Sequence, residues 1–422
     1  MPALMLTLPL AFWPWFLDPA NGPKWMLLSV AVPALFVFHR RQTWTPAHTL
    51  GALWFAWAAL TLFWTPAPLD GANALWKLGL ILVLFALGTG LSAAAVNRCF
   101  AAFALGIGLN GALALAQVFG FDRIPQVSAP SGLFANRNYL AEAGVMALAC
   151  LPFIRPRWLA LTLAVPVALA TFIPKSRGAA LAVGILVFAA LWRQSRYWAV
   201  FVAAVALNGL LLWTGGKPLE YLAEDFSVQQ RLLLWRETID ALTWLGHGIG
   251  SYWAAFHVFG ASVPTTTFSF VVGPDNPHND VLLLLSDLGL GAVFPLALAA
   301  WVWRAADDRF RYPLLAFALC GLVAFPLLNP GTAAVAALLA GGAVGARARL
   351  RPWQLAGGRP ADRRFEVGFG INEYLGDIAG RCGFSAFLAD SRGQRRADRA
   401  NPGSAPRSRA DGHQARVGAG AR

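Results

Sequence analysis

The chain has few charged residues for its length. Asp, Glu, Lys and Arg make up 13% of its 422 residues, whereas hydrophobic residues make up 57% and the mean hydropathy is +0.53. Apolar runs of about 17–22 residues, the length of a helix that crosses a bilayer, recur along the sequence. Backbone groups in lipid must bond within their own segment, and the runs are too long for barrel strands, so they are predicted to be helices. We expect an all-α, polytopic membrane protein.

Cysteine is also scarce. Cys99, Cys150 and Cys320 lie in apolar runs and Cys382 lies near the C-terminus, so the long polar segment of residues 215–279 has none. This excludes a disulfide scaffold there, and no paired Cys and His spacing indicates a zinc site.

The formal charge of +13 does not indicate nucleic-acid binding, because no motif accompanies it. Residues 346–422 hold 15 Arg against 7 Asp and Glu, so much of the excess lies after the last apolar run. We expect residues 1–350 to form the membrane domain and residues 351–422 a basic, disordered cytoplasmic tail.

The pattern predicts about twelve spans. They lie near residues 2–17, 24–38, 47–64, 74–91, 98–119, 138–154, 158–173, 178–192, 197–214, 280–303, 312–328 and 331–346. Short loops on the inner side carry most of the arginines if the N-terminus is inside, which places the long polar segment outside. The basic residues that remain on the outer side go against this bias, and an anionic ligand is one reason to keep them there.

Arg177 is one of these outer residues. It follows Lys175 and Ser176 at the start of a predicted span. A helix N-terminus favours anions, and a guanidinium adds a fork of donors that matches phosphate oxygens. The alternative is an arginine that extends to lipid headgroups.

Arg231 lies on a predicted helix inside the long polar segment. Ser227 and Gln230 have capping-box spacing, which opens a helix running to about Leu245. Helical periodicity places the apolar residues on one face, with Arg231 at its edge: Leu232, Trp235, Ile239 and Leu242. Arg236 projects away and forms a surface pair with Asp240. Arg231 needs an anionic partner, either a ligand or a distant carboxylate of the chain.

Two further polar motifs precede spans. The stretch from Ser131 to Tyr139, with Asn136 and Asn138, suits a turn that caps the next helix, or a polar wall for a sugar or phosphate. His278 and Asn279 stand before another span, where an imidazole can accept a proton near neutral pH. A structural donor or a simple cap is the alternative there.

Together these motifs resemble the O-antigen ligase and O-antigen polymerase superfamily of bacterial envelope glycosyltransferases. The resemblance rests on the order of several short motifs within residues 1–350: Gly132-Leu-Phe-Ala-Asn136-Arg-Asn138, Ser176-Arg177-Gly178, Arg231-Leu-Leu-Leu-Trp235, Gly248-Ile-Gly250, His278-Asn279 and Asp287-Leu-Gly289-Leu-Gly291. Asp287 departs from the glutamate expected before the last glycines.

The resemblance implies a C-type glycosyltransferase-like fold in the bacterial inner membrane, with the active site facing the periplasm. The donor would be a glycan on undecaprenyl diphosphate. Arg177 and Arg231 would bind the diphosphate and His278 would be the base. Asn136, Asn138, Trp235, Arg236 and Asn279 are the further candidates for substrate binding. No cofactor is expected. The outer side has no Asp-x-Asp pair, so we predict metal-independent transfer. One base and no carboxylate nucleophile suit a single displacement, so we predict inversion at the anomeric carbon.

The acceptor stays open. Lipid A core would make the protein an O-antigen ligase, a growing glycan would make it a polymerase, and a secreted protein would make it an O-oligosaccharyltransferase. A transporter of lipid-linked sugars is a further alternative, although the polar residues gather at one surface and not at the bilayer midplane.

Overall fold

The computed structural model describes residues 1–38, 44–213, 226–259 and 276–355. The long regular elements within these ranges are helices, which confirms the predicted fold class. We label them α1 Pro2–Thr7, α2 Asn21–Phe38, α3 Pro46–Leu60, α4 Pro68–Thr89, α5 Ala93–Val118, α6 Arg137–Cys150, α7 Arg157–Phe172, α8 Arg177–Gln194, α9 Arg196–Trp213, α10 Phe226–Asp240, α11 Tyr252–Phe259, α12 Asp280–Leu288, α13 Val293–Ala305, α14 Asp308–Gly321 and α15 Pro330–Leu355. Short 3₁₀ turns follow α1, α3, α6 and α12.

Six segments in the described part of the chain have the length and composition of a membrane span. They are α2, α4, α5, α8, the α12–α13 segment Asp280–Ala305, and Pro330–Arg349 of α15. The protein is therefore a polytopic helical membrane protein, while the number of about twelve spans stays a prediction. The predicted tail beyond residue 355 lies outside the described residues, as do residues 214–225 and 260–275 of the long polar segment.

The first predicted span, residues 2–17, is not one continuous helix. α1 and its 3₁₀ turn end at Leu10, and turns follow up to Ala20. Pro9 and Pro14 interrupt this run, since proline lacks the N–H that would continue a helix. Asp18 then accepts hydrogen bonds from the backbone N–H groups of Ala20 and Asn21 at the start of α2.

Close backbone contact between α4 and α15 holds the centre of the bundle together. A Cβ atom on Gly341 would lie 1.9 Å from the carbonyl oxygen of Phe85, and one on Gly345 would lie 2.0 Å from that of Thr89. Small residues allow such approach between membrane helices, where packing contributes most of the attraction. Likewise, a Cβ atom on Gly111 of α5 would lie 2.1 Å from the carbonyl oxygen of Pro166 on α7.

Two helices end earlier than predicted. α14 stops at Gly321, so that residues 322–328 of the predicted span 312–328 form a turn, which contains Pro326. α10 ends at Asp240 and not near Leu245.

Only part of the apolar face predicted for α10 packs: Trp235 packs against a buried cluster, whereas the other predicted residues are exposed. Leu234 and Thr238 are buried, at 2% and 1% exposure, whereas Leu232 and Ile239 are 55% and 53% exposed. Tertiary contacts decide this: Leu234 packs in a cluster with Tyr252, Phe256 and Leu283, and the Thr238 and Tyr252 hydroxyls lie 2.7 Å apart.

Candidate active site

Three helices that carry candidate residues begin in the same unusual way. The residue just before the N-cap has a left-handed backbone, with φ of 57° at Ala135, 55° at Lys175 and 53° at His278. In the described part of the chain these are the non-glycine residues with positive φ. Such backbone is costly for a residue with a side chain and concentrates at functional sites. It turns the chain sharply before α6, α8 and α12.

The starts of these three helices meet on residues 321–325, the last residue of α14 and the turn that follows it, which we call the 321–325 turn. Asn279 donates through Nδ2 to the carbonyl of Leu322 at 3.0 Å. A Cβ atom on Gly178, the second residue of α8, would lie 2.9 Å from Cγ2 of Val323. The rings of Tyr139 and His278 lie with centroids 5.2 and 4.8 Å from that of Phe325. The 321–325 turn therefore collects segments that are far apart in sequence.

His278 is half-buried at this junction. Its backbone N–H donates to Oδ1 of Asn276 at 3.0 Å, which fixes the turn before α12. Burial, assisted by the positive charge of Arg231, lowers the pKa of His278 from its ordinary 6.5 to about 4. The imidazole is therefore neutral at physiological pH and can accept a proton.

Arg231 reaches the same place from the long polar segment. Trp235, one helical turn further on, donates through its indole Nε1 to the carbonyl of Pro277 at 2.9 Å. Arg231 and Trp235 lie about 40° apart around α10. The bond therefore holds the Arg231 side of the helix against the residue before His278, and the charge of Arg231 acts on His278.

Two buried carboxyl groups, those of Glu142 and Asp280, lie close to this junction. They were not among the site residues predicted from the sequence. Glu142 on α6 is 2% exposed and Asp280 is 7% exposed. The charges of Arg231 and Asp280 both act on Glu142. Arg231 thus has a carboxylate of the chain nearby, as one of the alternatives foresaw. A lone glutamate inside an apolar run was the available signal, because such residues in membrane helices are commonly functional.

Both carboxyl groups are only partly satisfied by the described residues. Asp280 accepts a hydrogen bond through Oδ2 from the N–H of Leu327 at 3.1 Å. Its Oδ1 and the Oε2 of Glu142 are buried and have no hydrogen-bond partner among the described residues. Buried polar atoms are nearly always bonded in native proteins. A proton, a water or a ligand group near Arg231 would satisfy them.

Arg177 is the first residue of α8. Its neighbour Gly178 lies close to the 321–325 turn, so the backbone of Arg177 lies at the edge of the same junction. The first N–H groups of α8 add the positive end of a helix dipole. The three residues Arg177, Arg231 and His278 thus belong to segments that contact one turn or each other.

Asn136 and Asn279 act as helix caps, as one of the two interpretations expected, whereas Asn138 lies in the first turn of α6. Asn136 accepts from the N–H of Asn138 at 2.9 Å. Asn279 accepts from Val281 and Leu282 at 2.9 and 3.0 Å, besides its bond to Leu322. Their predicted contacts with substrate stay predictions.

Two other basic residues, which the sequence predicts to lie on the outer side, have structural explanations. Lys24 is fully buried, and its Nζ donates to the carbonyls of Ala11, Ala20 and Leu133 at 2.7–3.1 Å. Arg236 pairs with Asp240 at 3.8 Å, with its side chain 78% exposed. It lies about 140° around α10 from Arg231. The structure does not bring Arg236 to the junction.

Residues 159–297 match the family described as O-antigen ligase. The matched part contains Arg177, Arg231 and His278, and it confirms the resemblance to the O-antigen ligase superfamily that the motifs indicated. A search of curated proteins gave no match. The match supports, in general terms, a function of the O-antigen ligase or polymerase type.

Proposed function

We propose that the protein transfers a glycan from undecaprenyl diphosphate to an acceptor hydroxyl at the periplasmic face of the bacterial inner membrane, and that the reaction is O-antigen ligation to lipid A core. The observation that carries the proposal is the junction at the 321–325 turn. The imidazole of His278 packs against Phe325 of this turn, and the charge of Arg231 acts on that imidazole. The N-terminus of α8, which begins with Arg177, lies at the same turn, and all three candidate residues fall within the part of the chain that matches the O-antigen ligase family.

Arg231 and Arg177 bind the diphosphate of the donor. Cleavage of the bond between the sugar and the diphosphate leaves negative charge on the departing lipid. Forked guanidinium donors at a partly dehydrated interface stabilise that charge more in the transition state than in the ground state. They supply the positive charge without a metal ion.

His278 accepts the proton of the acceptor hydroxyl. The acceptor oxygen forms its bond to the anomeric carbon while the bond to the diphosphate oxygen breaks, and the electron pair leaves with undecaprenyl diphosphate. One base and a single displacement give inversion at the anomeric carbon. Base assistance of this kind contributes on the order of 10²–10⁴-fold to the rate.

Donor binding also adjusts the base. The positive charge of Arg231 contributes to the lowered pKa of His278. A diphosphate beside Arg231 offsets that charge, so the pKa of His278 rises towards its ordinary value when the donor is bound. The imidazole then becomes a stronger base at the moment when the acceptor must be deprotonated.

The other candidates take supporting roles in this proposal. Trp235 positions Arg231 through its bond to Pro277. Asn279 positions His278 through its cap and its bond to Leu322. Asn136 and Asn138 offer amide groups to the donor sugar at the start of α6.

A repeat-unit polymerase or a protein O-oligosaccharyltransferase would use the same site with another acceptor. Transport of a lipid-linked sugar is a second candidate, and the buried Glu142 and Asp280 favour it, since carboxylates within membrane helices often line transport paths. Transport would move the labelled lipid across vesicles without forming a new glycosidic bond.

The test is glycan transfer by the purified protein in detergent, with undecaprenyl-diphosphate glycan and lipid A core supplied. We expect Arg177→Ala, Arg231→Ala and His278→Ala to lose at least about a hundredfold in rate. Arg137→Ala is the matched control, because Arg137 is exposed and, like Arg177, is the first residue of its helix. The proposal would be overturned if the wild-type protein transferred no glycan to any acceptor, or if the three variants kept the wild-type rate.

A further inference from the structure

Two adjoining cavities lie between α3, α13 and α15, away from the candidate active site. The larger, of about 650 Å³, lies between α3 and α13, and the smaller, of about 260 Å³, extends it to α15. They share four lining residues: Thr45, Pro46, Trp301 and Arg304. They form one groove, which we call the inner groove.

The inner groove opens at the end of the bundle opposite to the 321–325 turn. Trp57 on α3 donates to the carbonyl of Leu288 at 2.9 Å, just before α13 begins. From there α13 rises about 20 Å to Ala305, and α3 runs back by a similar length to Pro46. The groove therefore lies about one membrane thickness away from His278.

The groove has an apolar wall and a basic mouth. Leu50, Ala297 and Ala300 line the wall. Arg304 lies at the mouth of the larger cavity and Arg347 at that of the smaller one, where it also donates to the carbonyl of Arg304.

Two tryptophans flank the mouth. Trp44 is 73% exposed and Trp301 is 37% exposed, and the indole Nε1 of Trp44 donates to the hydroxyl of Thr49. Such rings are typical of the level of lipid headgroups.

The two arginines are not neutralised by the chain in its described part. The acidic residues nearest to Arg304 in sequence are already paired: Asp307 with Arg309 at 2.7 Å and Asp308 with Arg193 at 2.5 Å. Neither Arg304 nor Arg347 has an ion pair among the described residues. The groove thus has a net positive mouth above an apolar cleft.

The geometry points to a binding site for an anionic phospholipid in the inner groove. Its phosphate lies between Arg304 and Arg347, and one acyl chain lies along the apolar wall. Basic pockets between membrane helices bind anionic headgroups in this way. A free phosphate ion would bind the two arginines but would not contact the apolar wall.

Charge complementarity disfavours the chain's own basic C-terminal segment as occupant, because residues 356–422, which follow α15, carry 12 Arg against 7 acidic residues. A zwitterionic lipid would place its own cation beside the two arginines.

The experiment measures the thermal unfolding of the full chain in detergent while single lipids are added. Phosphatidylglycerol is expected to raise the unfolding temperature, and phosphatidylcholine and inorganic phosphate are not. In Arg304→Gln/Arg347→Gln the apparent affinity for phosphatidylglycerol falls by roughly tenfold or more, since two arginines near the membrane surface are lost. Arg98→Gln/Arg157→Gln is the matched control, because both residues are exposed at the same end and the charge change is equal.

Three results would overturn the site: equal shifts with both lipids, the same shift with phosphate alone, or an equal loss in the control pair. If the glutamine pair does not fold, Ala300→Phe tests the wall without a change in charge and should displace the lipid. Native mass spectrometry of the wild type should then show phosphatidylglycerol retained in preference to phosphatidylcholine, and no preference would equally reject the proposal.

Discussion

The indole Nε1 of Trp235 donates a 2.9 Å hydrogen bond to the carbonyl of Pro277, the residue before His278. This bond joins a helix of the long polar segment to the start of a membrane span. It explains how Arg231, whose helix packs through Leu234 and Thr238, comes to act electrostatically on His278. The proposed catalysis depends on this hydrogen bond, and its removal is the first test.

Trp235→Phe keeps the ring and removes the hydrogen bond to Pro277. A bond of this kind contributes about 0.5–1.5 kcal/mol to stability, so we expect a loss of stability of that size and, because Arg231 is held less firmly near His278, a fall in the transfer rate of up to about tenfold. Trp253→Phe is the control, because it removes a comparable indole bond of 3.1 Å, to Asp70. Equal losses in the two variants would show that the effect is not specific to Arg231 and His278. The measurement is the initial rate of glycan transfer.

Arg231→Lys keeps the positive charge and removes the fork of donors. Lysine presents a point charge and does not grip two phosphate oxygens at once, so we expect most of the activity to be lost. The affinity for the donor lipid should fall together with the rate. Full activity in this variant would mean that the arginine acts only through its charge.

The pKa of His278 should respond to Arg231. It stands near 4 because of burial and the arginine's charge, so Arg231→Gln should raise it towards 6.5. An NMR titration of labelled histidine, with His278→Gln to assign the resonance, measures this directly. Addition of donor to the wild type should move the pKa upward as well; a fall in either case would contradict the proposed coupling.

The same shift makes stability depend on pH. The folded-state pKa of His278 is lower than its ordinary value, so the unfolded chain binds more protons between pH 6.5 and about 4. The contribution of His278 to stability is therefore present above pH 6.5 and is lost as the pH falls towards 4. His278→Gln should flatten the decrease of the unfolding temperature in this range, whereas an unchanged slope would argue against it.

Asn279→Ala removes the cap of α12 and the bond to Leu322. The loss of a cap costs about 0.5–2 kcal/mol. Ser92→Ala is the matched control, because Ser92 caps α5 at the other end of the bundle. Both variants should unfold at lower temperature, and Asn279→Ala alone should also lose transfer activity. Equal activities would place Asn279 outside the site.

Gly341→Ala tests the close packing of α4 and α15. Its Cβ atom would lie 1.9 Å from the carbonyl oxygen of Phe85, so the two helices must separate. Overpacking of this kind costs about 1–3 kcal/mol, and we expect a lower unfolding temperature in detergent. Gly184→Ala on α8, where the added Cβ meets nothing within 4 Å, should be neutral or slightly stabilising. The opposite order of the two variants would contradict this packing.

The sequence could predict the segments of the site but not their arrangement. Most described helices begin within a few residues of the predicted positions, as α8 does at Arg177, because caps and apolar runs are local features. The proximity of Glu142 to Arg231 could not be predicted, because it depends on how α6 and α10 pack. The packing face of α10 was predicted correctly only at Trp235 for the same reason, because the residues against which the helix packs, Tyr252, Phe256 and Leu283, come from later segments of the chain.

By itself, the sequence determined that this chain is a bundle of membrane helices with cationic residues retained at the ends of particular helices, since hydrophobicity, length and capping act over a few residues. The tertiary structure alone decided which of those ends meet. Gly178, Tyr139, His278 and Asn279 come together because each contacts the 321–325 turn, and a contact between distant segments is set by the packing of the whole bundle.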